Sequence, residues 1–177
     1  CEIFDTSGNR YIDMSFNGIL ACILGYSDPD VNNAVIRRVN MGSMSTLSSY
    51  DEVKLAELLL EIHPWAEMAR FTRTGGESTS VAVRIARSAT GRDKVAVCGY
   101  HGWQDWYLAA NLGKKGTAGL EGHLLPGLEP NGVPKGLENT IFTFRYNDFK
   151  AIEKIINTQG PDLAAIVMEP TRTDDPE

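Results

Sequence analysis

The chain has 177 residues, 42% of them hydrophobic and 23% charged, with a formal net charge of −6. That length can bury a real core in one mid-sized domain. The acidic balance leaves no basic stripe for a phosphate backbone, and no apolar run approaches the roughly 20 residues that span a bilayer, so neither nucleic acid nor a membrane is an expected partner. The three cysteines, Cys1, Cys22 and Cys98, lack metal-ligand spacing and read as reduced thiols of a cytoplasmic protein without a metal site.

Taken in order, "IFDTSGNRYIDMS" reads as a β-hairpin around Ser7-Gly8-Asn9. A helix follows, with Asp28 as its cap and Pro29 in its first position, and Val31, Val35 and Val39 share one face. "GSMSTLSS" is a polar loop. "YDEVKLAELLLEIHPW" is an amphipathic helix with Val53, Leu55, Leu58, Leu59 and Ile62 as its burial candidates, ended by His63-Pro64. "MARFTRT" is a strand candidate, Glu77 to Thr90 a helix that stops at Gly91, and "KVAVCG" a short buried strand. "NTIFTFRY" is a further strand, Asn147-Asp148 caps "FKAIEKIINTQ", and "LAAIVMEP" closes the order as a near-continuous apolar run.

Apolar-run strands alternating with amphipathic helices imply an α/β fold with a mostly parallel sheet covered on both faces. The Gly-rich excursion from about Asn111 to Leu137 shows no periodicity, which for its length suggests a lid, a binding loop or disorder. Both ends read as cut: the chain starts inside a strand-like run and stops at "EPTRTDDPE". An internal piece of a longer protein is expected.

Gly75-Gly76 stands where a strand candidate turns into a helix. In a parallel sheet, ligands gather at the carboxyl ends of strands, where first-turn amides lack partners and the helix dipole favours an anion. Glycine lets the backbone approach closely. A phosphate or carboxylate site and a plain tight turn are both consistent with this junction. The helix face Ser78, Ala82, Ile85, Ala86 and Ala89 is small enough for close packing on a sheet. The spacing is not that of a dinucleotide fingerprint, and no Gly-Lys-Ser/Thr follows.

With "TRTGGES", "GRDKVAVCGYHG", "YND" and "AAIVMEP" in this order, the chain resembles the class III aminotransferases, which are fold-type I enzymes dependent on pyridoxal 5'-phosphate. The branch most resembled is that of glutamate-1-semialdehyde 2,1-aminomutase. The resemblance implies the three-layer large domain of that fold, here incomplete. It also implies two parts: residues 1–45 as a hairpin, helix and interface loop, and residues 46–177 as the first part of the cofactor domain.

The site residues follow from the resemblance. Thr74-Gly75-Gly76-Glu77 matches the family's phosphate-holding segment, with the amides of Gly75 and Gly76 as binders and hydroxyls of Thr74 or Ser78 as additions. Tyr100-His101-Gly102 matches the aromatic-His-Gly segment, in which the ring of Tyr100 would stack on the pyridine ring and His101 is a further candidate. Glu169-Pro170 stands where the family has a Glu-Pro close to the cofactor. After Pro170 the family usually runs to glycine, whereas this chain has "TRTDDPE". His63 and His123 carry no such match.

The chemistry needs a Schiff-base lysine and a carboxylate paired with the pyridine nitrogen. In the family both come after the Glu-Pro segment. None of Lys54, Lys94, Lys114, Lys115, Lys135, Lys150 and Lys154 has the right context, so no catalytic residue is named and this stretch alone is expected to be inactive. The expected parent is an aminotransferase acting on a small-molecule amino donor and a carbonyl acceptor. It is expected to be a homodimer, "NMGSMSTLSS" resembling the segment that faces the partner's site. The alternatives are an aminomutase, which moves the amine within one molecule, and a non-catalytic α/β module that binds phosphate.

Overall fold

The computed structural model describes residues 2–113 and 129–171. Contacts divide the chain into two units, Cys1–Ala69 and Arg70–Glu177. In the first, strands β1 (Glu2–Phe4) and β2 (Arg10–Ile12) pair antiparallel with Ile3 opposite Tyr11. Asp5 builds the turn: its carboxylate accepts from the amides of Ser7 and Asn9 at 2.9 and 2.8 Å and from the Asn9 side chain at 2.8 Å. Those bonds, Asn9 first, hold its pKa below the usual carboxylate value.

Helix α1 (Pro29–Asn40) begins at Asp28, whose side chain accepts from the amides of Asp30 and Val31. Helix α2 (Tyr50–Ile62) begins at Ser49, which accepts from Glu52, and ends at His63. The expected buried stripe of α2 is corrected. Val53, Leu55, Leu58 and Ile62 are exposed, as are Val31, Val35 and Val39 of α1, and only Leu59 among those candidates is half-buried. Amphipathic spacing marks the face that prefers cover, and within this unit most of that face stays exposed.

The second unit carries the core. Helix α3 (Gly75–Thr90) starts two residues before the expected Glu77 and stops at Gly91, whose φ of 67° is the left-handed value of a helix C-cap. Strand β3 (Lys94–Val97) leads to a short helix α4 (Asp105–Leu108) and a 3-10 turn at Ala109–Asn111. Strand β4 (Ile141–Thr143), helix α5 (Phe149–Gln159) and strand β5 (Leu163–Val167) complete it. Asp148 caps α5 by accepting from Ala151. The sheet is parallel in the order β4-β3-β5.

Alternation along the central strand sends side chains to two cores. Val95 and Val97 join Val83, Trp106, Tyr107 and Ile141 on one face. Ala96 and Cys98 meet Phe144 on the other, with Ile152 and Ile155 of α5 packed against them. The parallel α/β expectation therefore holds. Two details differ.

"MARFTRT" forms no strand, because a strand exists only by pairing and no described segment pairs with it. Of the expected face of α3 only Ala86 is half-buried; Ser78, Ala82, Ile85 and Ala89 are exposed. Gly76, Thr79, Ser80 and Val83 turn inward instead, while Ile85 is 57% exposed.

Cys22 and Cys98 are not joined in a disulfide. Among the described residues no helix is long and apolar enough to cross a membrane, and no cluster of His, Cys, Asp or Glu could hold a metal ion. Cys1, His123 and the middle of the Gly-rich excursion (114–128) lie outside the described residues.

Candidate functional site

The helix start is built by a reciprocal cap. Thr74 has extended backbone and its hydroxyl accepts from the Glu77 amide at 3.2 Å, while the Glu77 carboxylate accepts from the Arg73 amide at 2.9 Å. The Ser78 amide is taken by the Thr74 carbonyl. The amides of Gly75 and Gly76 are the first-turn donors that no described group takes up. The Ser78 hydroxyl is engaged with Thr72 rather than turned to these amides.

Strand β3 delivers the second wall. Gly99 and Gly102 turn the chain back at its carboxyl end, with φ of 89° and 114°. Between them, Tyr100 is 47% exposed, which leaves its ring reachable. His101 is held by Nε2, 2.8 Å from the Cys98 carbonyl. A carbonyl only accepts, so in this contact Nε2 is the donor.

Tyr107 supports both rings from below. It is fully buried and donates to the Gly99 carbonyl at 2.9 Å. It meets Tyr100 and His101 edge-on at 6.1 and 6.0 Å. Burial pushes the Tyr107 phenol well above its ordinary pKa.

These walls enclose a cavity of about 370 Å³ lined by Thr74, Gly75, Gly76, Thr79, Tyr100, His101, Gly102 and Trp103. Five sequence candidates, Thr74, Gly75, Gly76, Tyr100 and His101, thus meet in one place although 26 positions separate the first from Tyr100 (100 − 74). Glu169 does not line it. Its carboxylate stands past the end of β5, where a Cβ built on Gly99 would be 4.0 Å from Oε2. The Tyr146 hydroxyl donates to the next carbonyl, that of Pro170, at 2.9 Å.

The sequence reading missed Thr79, Trp103, Gln104 and Tyr107. The Thr79 hydroxyl is directed at the carbonyls of Gly76 (3.0 Å) and His101 (2.9 Å), so it joins the helix start to the Tyr-His-Gly turn. Its spacing of three from Gly76 was a signal, since such residues share a helix face. For Tyr107 no local signal exists, because its partner is the backbone of a turn eight residues away.

Chemically, the arrangement offers an anion two bare amides at the positive end of a sixteen-residue helix and offers a flat ring an exposed aromatic face.

Comparison with known proteins gives the same direction. The family model for aminotransferase class-III matches residues 1–174. A 3-aminobutyryl-CoA aminotransferase of Cloacimonas acidaminovorans is 33% identical over 172 residues, covering 96% of this chain and 36% of that protein. A glutamate-1-semialdehyde 2,1-aminomutase of Thermoplasma volcanium is 37% identical over 170 residues, covering 95% and 39%. A solved transaminase with PLP bound superposes with a TM-score of 0.80 at 27% identity, covering 97% of this chain and 39% of its own. The chain thus spans between about a third and two-fifths of the length of these relatives.

Proposed function

Since the chain belongs to the class III aminotransferase family, we propose that it is the cofactor-phosphate part of an enzyme that passes an amino group from a small-molecule donor to a carbonyl acceptor. The observation that carries this reading is that the untaken amides of Gly75 and Gly76 and the exposed ring of Tyr100 line one cavity.

Pyridoxal 5'-phosphate suits that cavity. Its volume falls in the range of about 300–1,000 Å³ common to small-molecule sites. Gly75 and Gly76 would hold the phosphate, with Thr74 beside them fixing the helix start, and each favourable contact there is worth about 0.3–1 kcal/mol. Tyr100 would stack on the ring, adding about 0.5–1.5 kcal/mol beyond area burial. His101, fixed through Nε2 by the Cys98 carbonyl, would keep the Tyr100 turn in place, and Glu169 would lie toward the ring hydroxyl. When bound, the cofactor supplies an electron sink at the carbon that carries the amine. These residues anchor and orient; none of them is assigned a proton transfer, and the chain alone is expected not to turn over.

A homodimer in the cytoplasm completes the proposal. The exposed apolar residues of the first unit, Val31, Val35 and Val39 among them, support the dimer, and the lack of a disulfide at Cys22 and Cys98 supports the compartment. Residues 40–49 are the segment proposed to face the partner's site.

Titration of the chain with pyridoxal phosphate and with pyridoxal, followed by quenching of tryptophan fluorescence, tests the site. Tighter binding of the phosphorylated form, with inorganic phosphate as a competitor, is expected. Equal affinities would remove the reading. The identity to an aminomutase favours intramolecular transfer as the second reading. Stoichiometric release of 2-oxoglutarate when the whole enzyme meets glutamate points to transfer between molecules, and no release points to the aminomutase.

A further inference from the structure

We propose that Gln104 is a positioning residue of this phosphate cradle, a wedge that sets the spacing between the first turn of α3 and the Tyr100–Gly102 turn. The proposal rests on the reading of Thr74–Glu77 as the segment that holds the phosphate.

The carboxamide lies between two bare backbones. A Cβ built on Gly76 would stand 2.7 Å from Cδ and 2.9 Å from Oε1 of Gln104. Both distances are shorter than carbon atoms tolerate without displacement. A Cβ built on Gly102 would stand 3.2 Å from the same Cδ and 3.3 Å from the Gly76 Cα. At φ 114° Gly102 is also in a region that side chains disfavour. A side chain at Gly76 would therefore have to displace the Gln104 carboxamide, while at Gly102 the backbone conformation itself favours glycine.

Gln104 is free to serve this end. It is the residue before α4, with extended backbone, and its side chain makes no cap bond to that helix. The helix behind it is firmly seated: Trp106 and Tyr107 are buried, and the Trp106 Nε1 donates to the Ser80 hydroxyl at 3.2 Å. That seat aims the carboxamide back at Gly76. Gln104 Oε1 is buried without a hydrogen-bond partner among the described residues. The side chain is thus held there by shape and not by a bond of its own, against the usual cost of an unpaired acceptor.

The two turns that the wedge separates carry the groups proposed to grip the two ends of the cofactor. Taking the carboxamide away leaves a gap, and the helix amides and the Tyr100 ring lose their fixed distance. Adding a methyl at Gly76 has the opposite fault, because methyl and carboxamide claim one volume.

A double-mutant cycle on cofactor binding tests this. Gly76→Ala, Gln104→Gly and the double variant are titrated with pyridoxal phosphate and with pyridoxal, with circular dichroism to verify folding. Gly76→Ala should weaken pyridoxal phosphate about tenfold, as overpacking of a fitted site does. In the Gln104→Gly background the same methyl should cost about twofold or less, because the volume is vacant. Pyridoxal should respond to neither change, whereas a general loss of structure would weaken both ligands alike. Gln104→Met, of similar size, should retain the wild-type preference for the phosphorylated form and provides a folded control if Gln104→Gly does not fold.

Additive penalties in the cycle, or loss of the preference in Gln104→Met, overturn the assignment of Gln104 while leaving the phosphate site intact. Equal affinity of the unmodified chain for the two ligands overturns the phosphate reading, and this assignment with it.

Discussion

The hydroxyl of Thr79 stands 2.9 Å from the carbonyl of His101, across 22 positions of sequence (101 − 79), and 3.0 Å from the carbonyl of Gly76 in its own helix. One partly buried donor therefore serves the start of α3 and the Tyr-His-Gly turn together. The two halves of the candidate site are linked by this bond and by the Gln104 wedge, rather than standing independently at neighbouring strand ends.

Thr79→Val keeps the shape and removes the donor. Leaving the His101 carbonyl unpaired at this partly buried position should cost about 1–2 kcal/mol of folding stability. Urea unfolding at neutral pH reads this directly. Thr79→Ser, which keeps the donor, should lie closer to the unmodified chain; equal stability of the Val variant would show that the bond carries nothing.

Tyr107 predicts a response to alkali. Burial raises its pKa in the folded state, so the unfolded chain gives up the phenol proton first. Its stabilising contribution is complete below the free phenol value of about 10 and declines as pH rises from there toward the raised folded value. Melting temperatures from pH 8 to 11 should fall less steeply in Tyr107→Phe than in the unmodified chain. At pH 7 the same variant should be less stable by about 1–2 kcal/mol, because the Gly99 carbonyl loses its donor. An unchanged alkaline slope would assign the pH response to other groups.

The opposite end of the sheet predicts a response to acid. Lys94 Nζ binds Asp162 Oδ2 at 2.8 Å and Gln159 Oε1 at 2.9 Å, joining the first residue of β3 to the connection after α5. The hydrogen bond and charge of Lys94 hold the Asp162 carboxyl below its ordinary value of 3.8. For a depressed carboxylate the stabilisation is present above the unfolded value and lost as pH falls through the folded one. Asp162→Asn should therefore melt slightly below the unmodified chain at pH 7, and the difference should close below about pH 4. A gap that persists at pH 2 would mean that packing, not charge, is responsible.

Local chemistry was readable in the sequence. Asp28 and Pro29 start α1, Ser7-Gly8-Asn9 turns the hairpin, and Gly91 stops α3, because each depends on groups within a few residues. The apolar run of β3 marked a strand buried on both faces, and the ordered motifs marked the family.

What only the tertiary structure decided is which groups meet. "MARFTRT" has strand composition but no strand, since pairing depends on a neighbour that composition does not name. The small residues of α3 suggested one inward face, and another was selected by the packing of Val83 in the core and the bond of Thr79 to the His101 carbonyl. Gln104, an ordinary polar residue in sequence, fills the space above Gly76 only because α4 is seated by Trp106 and Tyr107. Sequence by itself determined the long helices and the caps at Asp28, Gly91 and Asp148, where the energies are local. Contacts between residues far apart in the chain chose the faces, because a side chain's burial depends on what stands opposite it.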